Sequence, residues 1–467
     1  MRTLIFLFFL ISFQSLAYAP VDSLPYGSRH TLLVSNSFGD YALKENSEQF
    51  FPPASTLKIL TALAAKLELG DDFRFETHFE IVEQDLVIRF SGDPELRTEH
   101  LTALTQQLTQ QGITAVNNVI LDSSAFRGYE RAVGWPWDIL GVCYSAPASA
   151  ITLDNNCVQA SISSQSNQAT SVFVPSHQPI SVTTDALSLN KVAVKSKRCQ
   201  LELITSEGNQ YHLSGCMQER DKPLPLKFAV QDTSLYVSAI VQRILAKNGI
   251  SVTGSISSKS ETKKGIIVAT HQSQALPELL KIMLSKSDNL IADNLTKTMG
   301  ARFYHQPGSF SNGTEAIKQI LYTRAGINLE HTQLEDGSGL SRNNRLTSSD
   351  MEKVLKYVWK HNVELGLIEL LPISGQSGTL KYRTSMRKKP IAGRITAKSG
   401  SLYGSYNMAG YVLDEKNKPT SLFVQFVTDY HPVKKDDAPK VIAPIFNFEK
   451  QFYRDLVNSS LKNDSRQ

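Results

Sequence analysis

Apolar and polar positions change period several times along the chain, and the changes mark its elements. A mostly apolar run at 4–16 follows Met1-Arg2-Thr3. Residues 31–35 read as a strand. At 55–69, Leu57, Leu60, Leu63, Ala64 and Leu67 recur at helical spacing, and 75–90 then alternate as strands do. From about 150 to 230 the chain is rich in Ser, Thr and Val without helical periodicity, which predicts short β-strands, as it does again around 250–270. Helical patterns return at 233–248, 275–301, 312–325 and 349–361. Residues 395–398, 406–413 and 421–427 read as consecutive strands, and 444–457 as a closing helix. Its stripe of Ile445, Phe448, Phe452 and Leu456 reads as a core face rather than a membrane anchor. There is no internal repeat.

The 4–16 run lies behind one basic residue and is shorter than the ~20 apolar residues a spanning helix needs, so it reads as a secretory signal. Cleavage after Ala17 is expected, because the competing site after Ala19 would leave Pro20 first. No cysteine near it suggests a lipoprotein. No other stretch reaches ~18 consecutive apolar residues, so the mature chain is expected to lack an integral membrane segment. Composition sharpens this only slightly. A length of 467 residues predicts two or three domains. With 41% hydrophobic and 20% charged residues, a disordered or fibrous chain is excluded. A net charge of +5 without a long basic block excludes nucleic acid as a partner, and Arg387-Lys388-Lys389 reads as a solvated loop. Cys143, Cys157, Cys199 and Cys216 in an exported chain predict disulfides. Sequence neighbours suggest Cys143–Cys157 and Cys199–Cys216, one of three possible pairings. No CxxC occurs and no His is grouped with the cysteines, so neither zinc nor another cofactor is expected.

No G-x-S-x-G elbow or Ser-His-Asp arrangement is visible. Ser-x-x-Lys is the alternative that needs no histidine. On a helix, residues three apart share a face, and a desolvated lysine can be neutral enough to take the serine proton. Five stretches match. Only Ser55-Thr56-Leu57-Lys58 opens an apolar helix, with Pro52-Pro53-Ala54 blocking any helix from upstream. Taken alone, it reads equally well as an N-cap serine with a surface lysine. Ser287-Asp288-Asn289 could be a capped helix end, and Lys398-Ser399-Gly400 a plain edge strand whose glycine lets a backbone come close to a ligand. The conjunction is specific: Ser-x-x-Lys, Ser-Asp-Asn and Lys-Ser-Gly resemble the three-motif set of penicillin-binding proteins and class A β-lactamases.

Longer words narrow the resemblance. Phe90-Ser91-Gly92-Asp93-Pro94, Trp135-Pro136-Trp137, Cys143-Tyr144-Ser145-Ala146-Pro147, the stretch from Asp336 to Arg342, and Ser377-Gly378-Thr379-Leu380 are similar to the penicillin-binding protein 4 type of D-alanyl-D-alanine carboxypeptidase/endopeptidase, class C of low molecular mass, over nearly the whole mature chain. The resemblance implies an α/β (α+β) serine transpeptidase/β-lactamase-like domain, an antiparallel sheet flanked by helices, with two mostly β inserted domains. The expected division is a signal at 1–17, a split catalytic domain at 18–72 and 260–467, one insert at 73–98 and 185–259, and a second at 99–184. It implies Ser55 as acylated nucleophile and Lys58 as its base. Ser287 relays a proton to the leaving amine beside Lys398, and Asn289 orients the substrate amide. Lys398, Ser399 and Ser401 next to Gly400 hold the terminal carboxylate, with Arg342 as a further candidate. The N–H groups of Ser55 and Ser401 form the oxyanion hole. Ser399 stands where the family usually has Thr, and Tyr403 where a polar amide is common. The acid after Trp137 comes one place early, as Asp138; with Tyr144 it is the candidate for the diaminopimelate side chain.

The implied partners are peptidoglycan stem peptides and β-lactams, and the implied site is the periplasm, soluble or loosely membrane-associated. The oligomeric state stays open, a dimer included. A serine β-lactamase is the first alternative, but no E-x-x-L-N word occurs and the interval from Ser55 to Ser287 is far too long. A catalytically idle cell-wall-binding module is the second; the intact Ser55, Lys58, Ser287, Asn289 and Lys398 argue against it.

Overall fold

The computed structural model describes residues 18–36, 39–432 and 443–464. The expected signal segment lies outside the described residues. Among them, no helix is long and apolar enough to cross a membrane.

The site is built on a five-stranded antiparallel sheet in the order Ile395–Leu402, Ser405–Leu413, Pro419–Thr428, Arg29–Ser35, Tyr41–Glu45. The first strand of the chain therefore pairs with the last, for example Leu33 opposite Val424. Neighbouring residues on a strand face opposite ways. Leu33, Tyr411, Val424 and Phe426 enter a core with the helices Lys58–Leu69, Leu276–Lys286, Asn289–Tyr304, Phe310–Ala325 and Ser348–Lys360. Leu32, Val34, Phe423 and Val427 enter the opposite core, closed by Phe448, Phe452 and Tyr453 of the helix Pro444–Asp464. With both faces covered, the central strands read as nearly continuous apolar runs. The stripe at 445–456 is a core face, as expected.

The middle of the chain builds separate sheets. A mixed five-stranded sheet orders Ile256–Lys259, Val119–Asp122, Asp85–Arg89, Glu76–Val82 and Ile266–Gln272, with Thr98–Gln110 and Thr233–Lys247 against it. Cys157–Ser164 pairs with Leu224–Ala229 and Thr170–Phe173, and Leu201–Ser206 with Gln210–Gln218. Cys143–Cys157 and Cys199–Cys216 are the disulfides. One element departs from the sequence pattern decisively. The single helix expected at 275–301 is two, Leu276–Lys286 and Asn289–Tyr304. Their apolar stripes face one core, so the periodicity runs on across a break that it does not reveal.

Candidate active site

Ser55 lies in a 3-10 turn, Ala54–Leu57, that runs into the buried helix Lys58–Leu69. Ala54 is left-handed at φ 49°, a conformation that an alanine keeps only where its surroundings impose it. Two glycines let those surroundings close in. A Cβ on Gly339 would fall 1.9 Å from the Ala54 carbonyl oxygen. One on Gly400 would fall 2.8 Å from the Pro53 oxygen and 2.9 Å from the nitrogens of Ser55 and Thr56. The backbone that Gly400 admits is thus the chain's own Ser55 turn.

Lys58 is fully buried one turn on. Its Nζ donates to Asn289 Oδ1 at 2.7 Å and to the Ser338 carbonyl at 2.6 Å, and lies 3.0 Å from Ser55 Oγ. Burial pushes its pKa down to about 8, against the upward pull of Asp293, Asp336 and Asp288. A neutral amine has two N–H groups and one lone pair. The two acceptors occupy the former, which leaves the lone pair for the Ser55 hydroxyl.

The helix break delivers the second motif. Ser287 caps the first helix in a left-handed conformation, φ 62°, and Asp288 caps the second by accepting from the Ile291 N–H at 3.0 Å. Ser287 Oγ accepts from Lys398 Nζ at 2.9 Å. Asn289 Nδ2 donates to the Tyr144 carbonyl at 2.7 Å. Asn289 therefore links the general-base candidate to a loop more than a hundred residues away in sequence.

Lys398 is buried too, and its Nζ also donates to the Ser399 carbonyl at 2.8 Å. Burial, and then the charge of Lys58, hold it well below the usual lysine range. Ser399 Oγ lies 2.8 Å from Thr379 Oγ1. The strand Ile395–Leu402 is the sheet edge, and the Ala397 N–H donates outward to Pro372. The register runs without a bulge, so by alternation the N–H groups of Ser399 and Ser401 also face the open edge.

The D-Ala-D-Ala carboxypeptidase 3 (S13) family model matches residues 30–452. The D-alanyl-D-alanine carboxypeptidase DacB of Haemophilus influenzae is 36% identical, over 93% of this chain and 92% of that protein. The crystal structure of penicillin binding protein 4 (dacB) from Haemophilus influenzae superposes with a TM-score of 0.87 at 35% identity, covering 94% of this chain and 98% of that one. Its complex with a novel β-lactam gives 0.83 at 34% identity, with the same coverage. The chain belongs to the D-Ala-D-Ala carboxypeptidase S13 family.

In this carboxypeptidase two buried acids support the motifs, and sequence reasoning gave neither a role. Asp293 lies one helical turn beyond Asn289. Its Oδ1 accepts from the N–H groups of Gly337 and Ser338 at 3.0 and 2.9 Å, which fixes the carbonyl that Lys58 uses. Burial and then the neighbouring Asp336 hold Asp293 well above the usual carboxyl range. Asp336 accepts from Trp135 Nε1 at 2.9 Å, from the Gly339 N–H at 2.8 Å and from the Ser341 N–H at 2.7 Å. It thereby folds the 336–341 loop under the Ser55 turn. The only sequence signal was the place of Asp336 in the stretch from Asp336 to Arg342.

The remaining candidates sit around the Tyr144 loop. Asp138 and Arg342 are exposed, and Tyr144 is 54% exposed. Burial, then Asp138, raise the Tyr144 pKa, while Arg342 opposes them, so the three share one electrostatic neighbourhood. The Arg342 guanidinium stands 6.0 Å from the Tyr403 ring centroid. None of the described hydrogen bonds ties it to the 398–401 strand. Lys297 anchors this loop from below, donating to the carbonyls of Tyr129 and Ala148 at 2.8 and 2.7 Å.

Proposed function

We propose that the carboxypeptidase works through an acyl-enzyme on Ser55, and that it also cleaves D-Ala-diaminopimelate cross-links and is acylated by penicillin. The observation that carries this is the buried Lys58 amine, with its lone pair left for Ser55. Lys58 takes the Ser55 proton as Oγ bonds to the carbonyl carbon of the penultimate D-Ala. The N–H groups of Ser55 and Ser401 hold the oxyanion. The C–N bond breaks, and the proton passes from Lys58 through Ser287 to the departing amine, with Lys398 orienting that hydroxyl. Water then attacks the ester with Lys58 again as base, and Ser55 regains its proton. Ser399, Ser401 and the Lys398 charge receive the terminal carboxylate, with Gly400 keeping the strand close; Arg342 lies further out. Asp138 and Tyr144 meet the diaminopimelate side chain.

We also read the segments that form the five-stranded sheet and its helices as one split catalytic domain. The pairing of Ile266–Gln272 with Glu76–Val82 supports a return to it near Leu276 rather than at 260. The mature enzyme acts in the periplasm, exported by the 4–16 segment. β-Lactam acylation accords with the complex of the Haemophilus influenzae protein. Digestion of purified muropeptides tests the reading. D-Alanine release from pentapeptide and conversion of cross-linked dimers to monomers are expected, and both should vanish with penicillin labelling in Ser55→Ala. Dimers left intact by an enzyme that trims pentapeptide would remove the endopeptidase half.

A further inference from the structure

A cleft of about 750 Å³ opens beside the second motif, and its far wall has no part in the mechanism. One wall is the backbone and side chains of the Lys286–Leu290 stretch. The opposite wall is Leu201, Leu203 and Leu226, from two different β-strands. These leucines flank the small core around Tyr211, Leu213 and Phe228 but are only partly buried, so that core stays open toward the cleft. The Cys143–Cys157 disulfide lines it as well. The charges at its walls have both signs. Glu202, Lys227 and Lys286 are exposed, Asp288 is half-buried, and among the described residues the first three form no ion pair.

Two links join the cleft to the reacting centre. Ser287 and Asn289 line it while also holding Lys398 and Lys58. Tyr144 lines it while accepting from Asn289. Asp138 and Arg342 do not line it, so it meets the side-chain neighbourhood described above only at Tyr144.

We propose that this cleft binds a second peptidoglycan stem: a short peptide with methyl side chains that carries carboxylates and an ammonium group. The leucine wall suits the alanine methyls. The unpaired Lys227 and Lys286 suit carboxylates, and Glu202 suits an ammonium. The inference rests on the cross-link reading. A cross-linked substrate is branched, and the sheet edge at 395–402 can align only one of its stems. The second stem then needs a surface next to the scissile bond, and this cleft adjoins it through Asn289.

The test uses the full-length mature protein and the tetrapeptide L-Ala-D-Glu-diaminopimelate-D-Ala, titrated calorimetrically into Ser55→Ala. Leu203→Trp, which fills the cleft, should weaken binding at least tenfold. Lys227→Glu, an exposed change that leaves the core untouched, should weaken it about fivefold. In the Ser55 enzyme, the ratio of kcat/KM for a cross-linked dimer to that for a short acyl-D-Ala-D-Ala peptide should fall about tenfold in each variant. Tetrapeptide affinity unaltered by both variants, an unmoved ratio, or no binding to the parent protein would each overturn the proposal. Failure of the hydrolase reading shows differently, as no D-alanine release from the short peptide at all.

Discussion

Gly400→Ala is a one-carbon change whose effect can be worked out from distances. The backbone at 400 needs no left-handed conformation, so the strain is purely one of space. The new Cβ would stand 2.8 Å from the Pro53 oxygen and 2.9 Å from the Ser55 and Thr56 nitrogens, where ordinary contact begins at 3.4 Å. All three atoms are backbone and belong to a turn that Gly339 already braces from elsewhere. The edge strand must therefore retreat by about 0.5 Å. A misplacement of ~1 Å can cost ~100-fold in a positioned reaction, so half of that predicts a loss of about tenfold, or ~1.4 kcal/mol of transition-state stabilisation. The assay is the second-order rate of Ser55 acylation by a fluorescent penicillin, alongside kcat/KM for acyl-D-Ala-D-Ala. Thermal unfolding reports whether the fold is kept. The loss should appear in both rates, because the proposed mechanism places an oxyanion between Ser55 and Ser401 in both reactions. A folded Gly400→Ala enzyme that acylates within about twofold of the parent would refute the idea that this close approach sets the geometry.

The proposed base, Lys58, must be neutral to work, so acylation should rise with pH through an inflection near 8, measured as a pH–rate profile; a flat profile across that range would contradict it. Asn289→Asp places a carboxylate against Lys58 Nζ, which should favour its charged form and move that inflection upward. It also opposes the Tyr144 carbonyl, so kcat should fall at least tenfold at neutral pH. Glu449 is fully buried and accepts from Arg383 and from Ser385 at 2.7 Å, tying the closing helix to the 380s loop. Glu449→Ala leaves the Arg383 charge uncompensated and should cost ~3–5 kcal/mol in denaturant unfolding, with little change in the pH inflection.

The catalytic sheet is legible in the sequence because both of its faces are apolar, and most of its helices because their apolar stripes recur at helical spacing. The helix Thr98–Gln110 is not. Leu101, Leu104 and Leu108 are its only large apolar residues, and the threonines and glutamines between them mask the period. The kink at Ser287 is hidden for the opposite reason, since the apolar stripe is unbroken while φ at one residue reverses. Ser55 could be singled out as the candidate nucleophile among five Ser-x-x-Lys matches by the prolines before it and the apolar helix after it. Asp293 and Asp336 could not, because an acid on a helix or in a Gly-Ser loop reads as solvated. Only three dimensions reveal that each caps backbone N–H groups beneath Lys58 or Ala54. Thr379 is silent in the same way, since its meaning lies in a hydroxyl twenty residues later.

The pairing of the chain's first strand with its last also sets a timetable. Arg29–Ser35 leaves the ribosome early, yet its neighbour Pro419–Thr428 comes almost at the end. Long-range pairings of this kind form late, because the loop they close must first be ordered. Until residues near 400 arrive, nothing brings Gly400 against the Ser55 turn or Lys398 to Ser287. A chain cut short in its last seventy residues would carry Ser55 and Lys58 intact and still lack a working centre. The centre of the hydrolase is thus assembled only once the polypeptide is nearly complete.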